Sequence, residues 1–570
     1  MCFNALVSYE SAAARASRRV SNSLLRRWAP ALIALVGVGA LGLPACGAAR
    51  SARTSRALGA PHFVEQASAA GIDHKYSGGF EFFVGGGVAA FDCNDDGRPE
   101  LYLAGGSAPA GLYLNESAVG GAFRFARKES PVTDLTSVTG AYPLDIDSDG
   151  HIDLMVLRRG GNVLLRGLGN CRFEAANEQF GLDGGNGWTT AFSATWEASS
   201  TLPTLAVGNY LIGDTYDCDV SQLIRPTAPG SVYASPVPLA PGYCTLSMLF
   251  SDWDRSGHSD LRVSNDRHYY GGVGQEQLWR IRPREEPKQY TEADGWRRLQ
   301  VAGMGIASRD VTGDGYPEVF LTSQADNKLQ TLDAGPVRPA YRDIALKRGV
   351  IAQRPFVGDD VLPSTAWHPE FDDVNNDGLI DLFVSKGNVD AQPDQATADP
   401  SNLFIGQADG AFVEGAEAAG IVSFDKARGA ALVDLNLDGL LDLVVVNREA
   451  NVKVWRNVGS GDANKTVSMG HWIAVNLVQD APNVNAIGAW LDVQIGDRTL
   501  QREVTIGGGH VSGQLGWLHT GLGAADSAKV RVHWPGGEIG PWMTVGADQF
   551  MTVKRGATQV TPWLPGSPLN

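Results

Sequence analysis

Short apolar runs, many of them alternating with polar positions, recur along most of this chain and are broken by glycine and aspartate. Runs of this kind predict β-strands, because side chains on a strand point to opposite faces in turn. One unit shows the grammar. Phe371 to Val384 reads FDDVNNDGLIDLFV, a strand end, a polar loop and the start of a second strand. Around each such loop the pattern predicts four strands. There is an inner one (GGGVAAFD, GAALVDL), a second (LYLAGG, LVVVN), a third (GLYLN, NLFIG, VKVWRN) and an outer one with an aromatic residue (GAFRFARK, GAFVEGA).

The loop is also a candidate metal cage. Asp373, Asn375, Asp377 and Asp381 stand at positions one, three, five and nine, with Gly378 at position six. Alternate oxygen donors suit a hard cation such as Ca²⁺, and the glycine permits the turn that folds them around it. An EF-hand starts alike but places its last acid at position twelve and continues as a helix; here strand formers follow position nine. The spelling recurs five times. The other loops are Asp92, Asn94, Asp96, Glu100; Asp145, Asp147, Asp149, Asp153; Asp252, Asp254, Ser256, Asp260; Asp310, Thr312, Asp314, Glu318; and Asp434, Asn436, Asp438, Asp442. Ser256 and Thr312 replace a carboxylate or amide with a hydroxyl, so those two loops should bind least tightly.

The gap from Asp145 to Asp252 is about twice the others, which predicts a unit between them whose ligands are lost. Its flanks survive as GWTTAFSATW and TLAVGNY, joined by EASSTLP, which holds one carboxylate. A period of about fifty to sixty residues with short strands points to a propeller or solenoid of four-stranded sheets. The expected fold is therefore all-β, a seven-bladed β-propeller over 62–458 followed by a small β-sandwich-like domain over 466–556. The last blade lacks an outer strand at its own end of the chain. His62 to Ala67, HFVEQA followed by AAGI, matches Ala411 to Ile421, AFVEGAEAAGI, so the N-terminal strand should close the ring and remove the free sheet edges.

Composition adds a compartment and removes a partner class. With 47 basic and 63 acidic residues the net charge is −16, which argues against nucleic acid. Residues 1–45 read as a targeting segment, with Arg15, Arg18, Arg19, Arg26 and Arg27 before an apolar stretch from Ala29 to Leu43. Leu43-Pro44-Ala45-Cys46 resembles the lipobox of bacterial lipoproteins, which implies acylation of Cys46 and makes 46–61 a tether. Any membrane contact would then run through that lipid, and the protein would be held at the cell envelope, or be periplasmic or extracellular if not acylated. Export permits disulfides. Cys218 and Cys244 bracket a proline-rich stretch, Leu211 to Gly242, read as an insertion that a bridge would tie down. Cys93 and Cys171 read equally as a pair or as buried thiols.

After Gly459 to Lys465 the loops stop, and alternating runs (WIAVNLV, AWLDVQI, AKVRVHW, FMTVKRG) predict the second domain, packed on or beside the last blade, with an irregular tail over 557–570. The repeats resemble the FG-GAP or VCBS repeats of integrin α-subunit heads and secreted bacterial proteins. The second domain resembles the ASPIC/UnbV domain, on Asn485-Ala486-Ile487-Gly488-Ala489, Gln501-Arg502-Glu503-Val504, Gly507-Gly508-Gly509-His510-Val511-Ser512, Leu518-His519-Thr520-Gly521-Leu522-Gly523 and Val532-His533-Trp534-Pro535-Gly536-Gly537. The order of the two is similar to that of the cartilage acidic protein family and its bacterial relatives, without the EGF-like cysteines of some animal members and with Thr520 where an aromatic residue is expected. The resemblance implies about six calcium sites and an extracellular or envelope location, and no established reaction.

Catalytic motifs are sparse: no H-E-x-x-H, G-x-S-x-G, Walker loop or C-x-x-C-H occurs. His368, beside Trp367 and Glu370, and the acids Asp359 and Asp360 are the nearest thing to a reactive set. Trp188, Trp253 and Trp367 are either sugar-stacking platforms or core. Two expectations follow. One is a calcium-stabilised, non-enzymatic binding or adhesion module recognising a protein or glycan through propeller loops. The other is a carbohydrate-active lyase or hydrolase on the propeller face, which a pocket joining His368 to two carboxylates and an aromatic floor would favour.

Overall fold

Each aspartate loop turns an inner strand back on its neighbour, so that inner strand, loop and second strand form one antiparallel hairpin, as in Ala366–Asp372 with Asp381–Lys386. The computed structural model describes residues 56–570 except 198–199, 228–229, 267–273 and 568–570. The targeting segment, Cys46 and most of the tether lie outside the described residues.

Seven four-stranded antiparallel sheets follow one another. Their inner strands are Val88–Phe91, Val138–Leu144, Thr189–Thr195, Thr245–Ser251, Gly303–Arg309, Ala366–Asp372 and Lys426–Val433. Each inner strand adjoins the next, and the seventh adjoins the first, so the sheets form a closed ring; they are numbered here as blades 1 to 7. Phe63–Glu65 is the outer strand of blade 7, with Phe63 opposite Asn457 and Glu65 opposite Trp455. Inner strands such as Thr189–Thr195 are buried along their whole length, because neighbouring sheets cover both faces.

Blade 3 corrects one expectation. Leu211 to Gly242 is not an insertion: Ser221–Ile224 and Val237–Leu239 are the third and fourth strands of that blade. Proline and small residues hide the alternation there, and the Cys218–Cys244 bond holds the stretch. Cys93 and Cys171 are also bonded, joining the aspartate loop of blade 1 to blade 2. Two disulfides are the mark of a protein exported to an oxidising compartment.

The second domain is a pair of four-stranded sheets. One is Leu518–Gly523, His471–Val478, Gln549–Lys554 and Thr561–Trp563; the other is Arg498–Glu503, Trp490–Ile495, Ser527–His533 and Met543–Gly546. The tail is therefore not wholly irregular. Thr561–Trp563 pairs with Gln549–Lys554 because Trp563 is buried among Trp472, Trp517 and Phe550.

This domain packs on the last blade, where Leu437 clusters with Trp472 and Phe550, but it is not confined to it. Its core runs on into blades 2 and 3, so that Ile473, Val475 and Val530 share one buried cluster with Tyr142, Phe192 and Leu205. The segment between its strands, Ile506 to Leu515, enters the ring itself. The Ser193 hydroxyl donates to the Ile506 carbonyl at 2.5 Å. The Gly508 and Gly509 amides donate to the carbonyls of Met248 and Ile306, both at 2.7 Å. Gly513–Leu515 then lies parallel to Val88–Phe91 as a fifth strand of blade 1. The axis of the ring is plugged by the other domain.

Candidate functional site

Two sets of residues carry chemistry: the aspartate loops at one end of the ring, and the cavity where the second domain meets it.

In every loop the first aspartate accepts the amide of the glycine at position six. The distances are 2.6 Å at Gly97 and Gly378, 2.7 Å at Gly439 and 2.9 Å at Gly150, Gly257 and Gly315. The position-nine acid reaches the other way, into the sheet. Asp381 accepts from the Val374 amide at 2.9 Å and the third-strand Gly406 amide at 2.7 Å, and Asp442 does the same with Leu435 and Asn457. A single carboxylate thus ties loop to sheet.

Three loops keep only their tips open to solvent, and the second domain touches two of them at the edge, where Ser148 accepts the Asn483 amide at 2.9 Å and Arg255 lies 4.0 Å from the Trp490 ring. At Asp145, Asp147 and Asp149, one oxygen from each lies within 4.8 Å of the others, and Arg166 spans Asp147, at 2.7 Å, and Asp149. At Asp252, Asp260 is held by Arg282 at 2.6 Å, Tyr290 at 2.8 Å and the Trp253 indole at 2.9 Å. At Asp310, Thr312 and Thr331 both donate to Glu318. Burial, with repulsion from neighbouring acids, pushes Asp145 up to about 6 and Asp153 to about 8.

The loops at Asp373 and Asp434 are covered instead. Leu58 donates its amide to Asp377 at 2.7 Å, and Asn375 donates to the Gly59 carbonyl at 3.1 Å, so the end of the expected tether docks on the first of them. Asn436 donates to the Gly121 carbonyl at 2.9 Å, from the blade 1 hairpin. Above them lies the second domain. His519 meets Asn376 at 2.7 Å, and a Cβ on Gly439 would stand 1.8 Å from the Trp472 ring. Burial and the neighbouring carboxylates hold Asp373, Asp381, Asp434 and Asp442 far above the usual carboxylate range. The loop at Asp92 is intermediate: its Gly97 lies under Trp563, and its carbonyl accepts from the Trp517 indole at 3.1 Å. Oxygen-only donors crowded at this density fit a calcium ion, which would relieve their repulsion. Cys93 and Cys171, beside Glu100, do not add to the cage, because their sulfurs are spent in the disulfide.

The second set surrounds a cavity of about 210 Å³ between ring and domain, lined by His368, Glu370, Asp372, Arg309, Arg502 and Gln514 among others. His368 Nδ1 accepts the His510 amide at 3.1 Å, which leaves the proton on Nε2, 3.4 Å from Glu370. Glu370 also accepts from the Leu432 amide at 2.9 Å and from Gln514. Burial works against ionising Asp372, but Arg502, at 2.7 Å, and Arg309 hold it below its ordinary value. Glu503 accepts from Ser251 and the Asp252 amide and is raised to about 8 by burial and by Asp252. His510 sits on the axis, fully buried, its ring 5.0 Å from Trp367, and burial followed by Arg428 drives it down to about 3. It is a neutral histidine.

Several sequence candidates do not gather here. Asp360 caps Leu362 and Thr397 on another part of blade 6 and, like Asp359, does not line the cavity. Trp188, Trp253 and Trp367 are core, at 2%, 4% and 0% exposure, and offer no stacking platform.

The plug was the missed element, and its signal is in the inner strands. Five residues before the loop's first aspartate stand Gly87, Gly140, Gly305 and Gly429 in blades 1, 2, 5 and 7. A Cβ there would lie 1.8 and 2.1 Å from the Val511 carbonyl oxygen, 3.0 Å from that of Gly509 and 2.2 Å from the Ser512 hydroxyl. Blade 6 has His368 at this position, and it is the residue that reaches the plug.

A ring of seven sheets with aspartate-loop hairpins, plugged by a β-sandwich, defines a repeat propeller with a dedicated partner domain. The chain carries FG-GAP-like repeats, matched over 92–156 and 373–445, and a C-terminal ASPIC and UnbV domain, matched over 479–560. No curated protein matches it. Solved structures similar to it include BBS1N in complex with ARL6DN, at 10% identity and TM-score 0.39, covering 72% of this chain and 100% of that one. PorZ, a surface component of the type-IX secretion system of Porphyromonas gingivalis, is similar at 13% identity and TM-score 0.38, over 85% and 60%. A protein of Agrocybe aegerita that recognises non-reducing terminal N-acetylglucosamine is similar at 16% identity and TM-score 0.29, over 66% and 78%. Among the described residues no helix is long and apolar enough to cross a membrane.

Proposed function

We propose that this protein is a calcium-stabilised, non-enzymatic binding or adhesion module, displayed on the bacterial cell envelope through a lipid on Cys46, that recognises a protein or glycan through propeller loops. The observation that carries the reading is the contrast between the ring's two ends. The loop end is largely taken up by oxygen cages and the second domain. The connections at the other end expose Ile212 at 50%, Tyr216 at 68%, Val361 at 72% and Phe424 at 50%. Apolar side chains on rigidly held loops are the usual stuff of a recognition surface.

The test is binding of the chain from residue 47 to protein and glycan arrays in calcium, in EDTA, and with Tyr216→Ser and Phe424→Ser together. Saturable binding that falls at least tenfold in the double variant supports the reading. Binding that ignores the variant moves the surface elsewhere, and an absence of binding to any array removes the reading.

A second reading has one observation in its favour. The cavity does join His368 to Glu370 and Asp372 with Tyr142, Phe371 and Trp517 nearby, as a carbohydrate-active enzyme requires. Against it, both acids and the histidine already hold hydrogen bonds to the protein. Release of reducing ends or unsaturated sugars from acidic polysaccharides, abolished by Glu370→Gln, would establish it over the first.

A further inference from the structure

The repeat position just before each loop's first aspartate is Phe91, Leu144, Ser251, Arg309, Asp372 and Val433 in successive aspartate-bearing blades. Three of these are apolar: Leu144 shares a core with the second domain, and Phe91 and Val433 pack in a core of the ring itself. Blades 5 and 6 instead present a guanidinium and a carboxylate to the cavity. The carboxylate is fully served, because Asp372 accepts from Arg502 at 2.7 Å and from the Asp373 amide at 3.0 Å. Arg502, which crosses from the second domain, also donates to the His519 carbonyl at 3.4 Å.

Arg309 is different. It is 95% buried, being 5% exposed, its Nε has no hydrogen-bond partner, and its side chain makes no ion pair among the described residues. A buried guanidinium without a hydrogen-bonded counter-charge is costly, and arginine presents a fork of donors that matches two oxygens of one oxyanion. The space in front of it, about 210 Å³, holds on the order of seven waters or a molecule of monosaccharide size.

We propose that the interdomain cavity is a binding site for the oxyanion of a small organic molecule, a carboxylate or a phosphate, with Arg309 as the principal ligand and Arg502 beside it. Asp372 holds Arg502 in place, and the Gln514 side-chain oxygen, its nitrogen donating to Glu370, can accept from a hydroxyl group of the same molecule. The site needs both domains, so its occupant bridges ring and plug and strengthens their docking. This goes beyond the recognition surface proposed above, lies at the opposite end of the ring, and does not depend on it.

The experiment is thermal unfolding and calorimetric titration of the chain from residue 47, held in excess calcium. The probes are sodium glucuronate, inorganic phosphate, glucose, and sodium chloride at matched ionic strength. Glucuronate or phosphate should raise the Tm and bind saturably, glucose and chloride should do neither, and the better of the two names the oxyanion. Arg309→Met should weaken binding at least tenfold, and Arg309→Lys should weaken it less. Arg309→Met loses no side-chain hydrogen bond and should stay folded, although the loss of its charge near Asp372 lowers the Tm of the unliganded protein. Equal effects of chloride and both oxyanions, or binding retained in folded Arg309→Met, would each overturn the proposal.

Discussion

The loops at Asp434 and Asp145 share one spelling and do different work. At Asp145 the tip of the loop faces solvent and Arg166 already lies across Asp147 and Asp149, while Asp145 and Asp153 are buried. At Asp434 the carboxylates are closed in by Trp472 above and the Gly121 hairpin at the side. The difference teaches that the repeat specifies the cage, while the surroundings decide what depends on it. A rim loop mainly stiffens its own hairpin and meets the second domain only at its edge. A covered loop also forms the floor on which the second domain stands, so a change in its charge is felt at the interface.

The strongest way to break this comparison is to separate the domains. Gly87→Val would place a Cβ 1.8 Å from the Val511 carbonyl oxygen, against backbone that cannot yield. It should cost about 3 kcal/mol or more and free Ile506 to Leu515 for proteolysis. Gly257→Ala, on the rim, meets nothing within 4 Å and carries only the strain of its φ of 81°, about 1 kcal/mol. Equal losses in melting experiments would mean that the plug is not a structural element.

Reduction of the disulfides comes next. Cys93–Cys171 spans 78 residues and binds an aspartate loop to the next blade, so Cys93→Ser with Cys171→Ser should cost about 3 kcal/mol. Cys218–Cys244 spans 26 residues within blade 3 and should cost slightly less. Denaturant titration distinguishes them.

The axis should also respond to acid. His510 has a folded-state value of about 3, below the 6.5 of the unfolded chain. Its contribution is therefore complete above about pH 6.5 and is lost as the pH falls toward 3, by about 1.4 kcal/mol per unit within that window. His510→Asn should flatten the stability profile relative to the parent between those limits; parallel profiles would show that His510 is not held neutral. The smallest effect belongs to the rim. Arg166→Gln removes a competing cation, so calcium should bind that loop more tightly while stability shifts by less than about 1 kcal/mol.

Much of the ring was legible in the chain because a repeat is a local signal written several times. The loop spelling, the lost cage between Asp145 and Asp252, and the match of His62 to Ala67 with the outer strand of blade 6 each needed only short-range comparison. What failed was non-local. Gly507 to Ser512 has no alternating side chains to mark it as a pairing segment, since its partners lie in five different strands and its bonds are made mostly by backbone. Gly87, Gly140, Gly305 and Gly429 carried the complementary half of that information as an absence of side chains. Strands Ser221–Ile224 and Val237–Leu239 were hidden by prolines, and Thr561–Trp563 by its brevity. At the cavity, His368 and Glu370 stood out by residue type, while Arg309 did not, because its isolation exists only once two domains have closed over it.

The central claim is that calcium in the covered loops holds the second domain on the ring. The most direct measurement is the gain in Tm on adding excess calcium to EDTA-treated protein, with bound ions counted, for the parent, for Asp373→Asn with Asp434→Asn, and for Asp145→Asn with Asp310→Asn. The account predicts a large gain in the parent with up to six ions, one for each loop. It predicts loss of most of that gain in the covered pair and a smaller loss in the rim pair. No gain in the parent, or equal losses in the two variants, would contradict it.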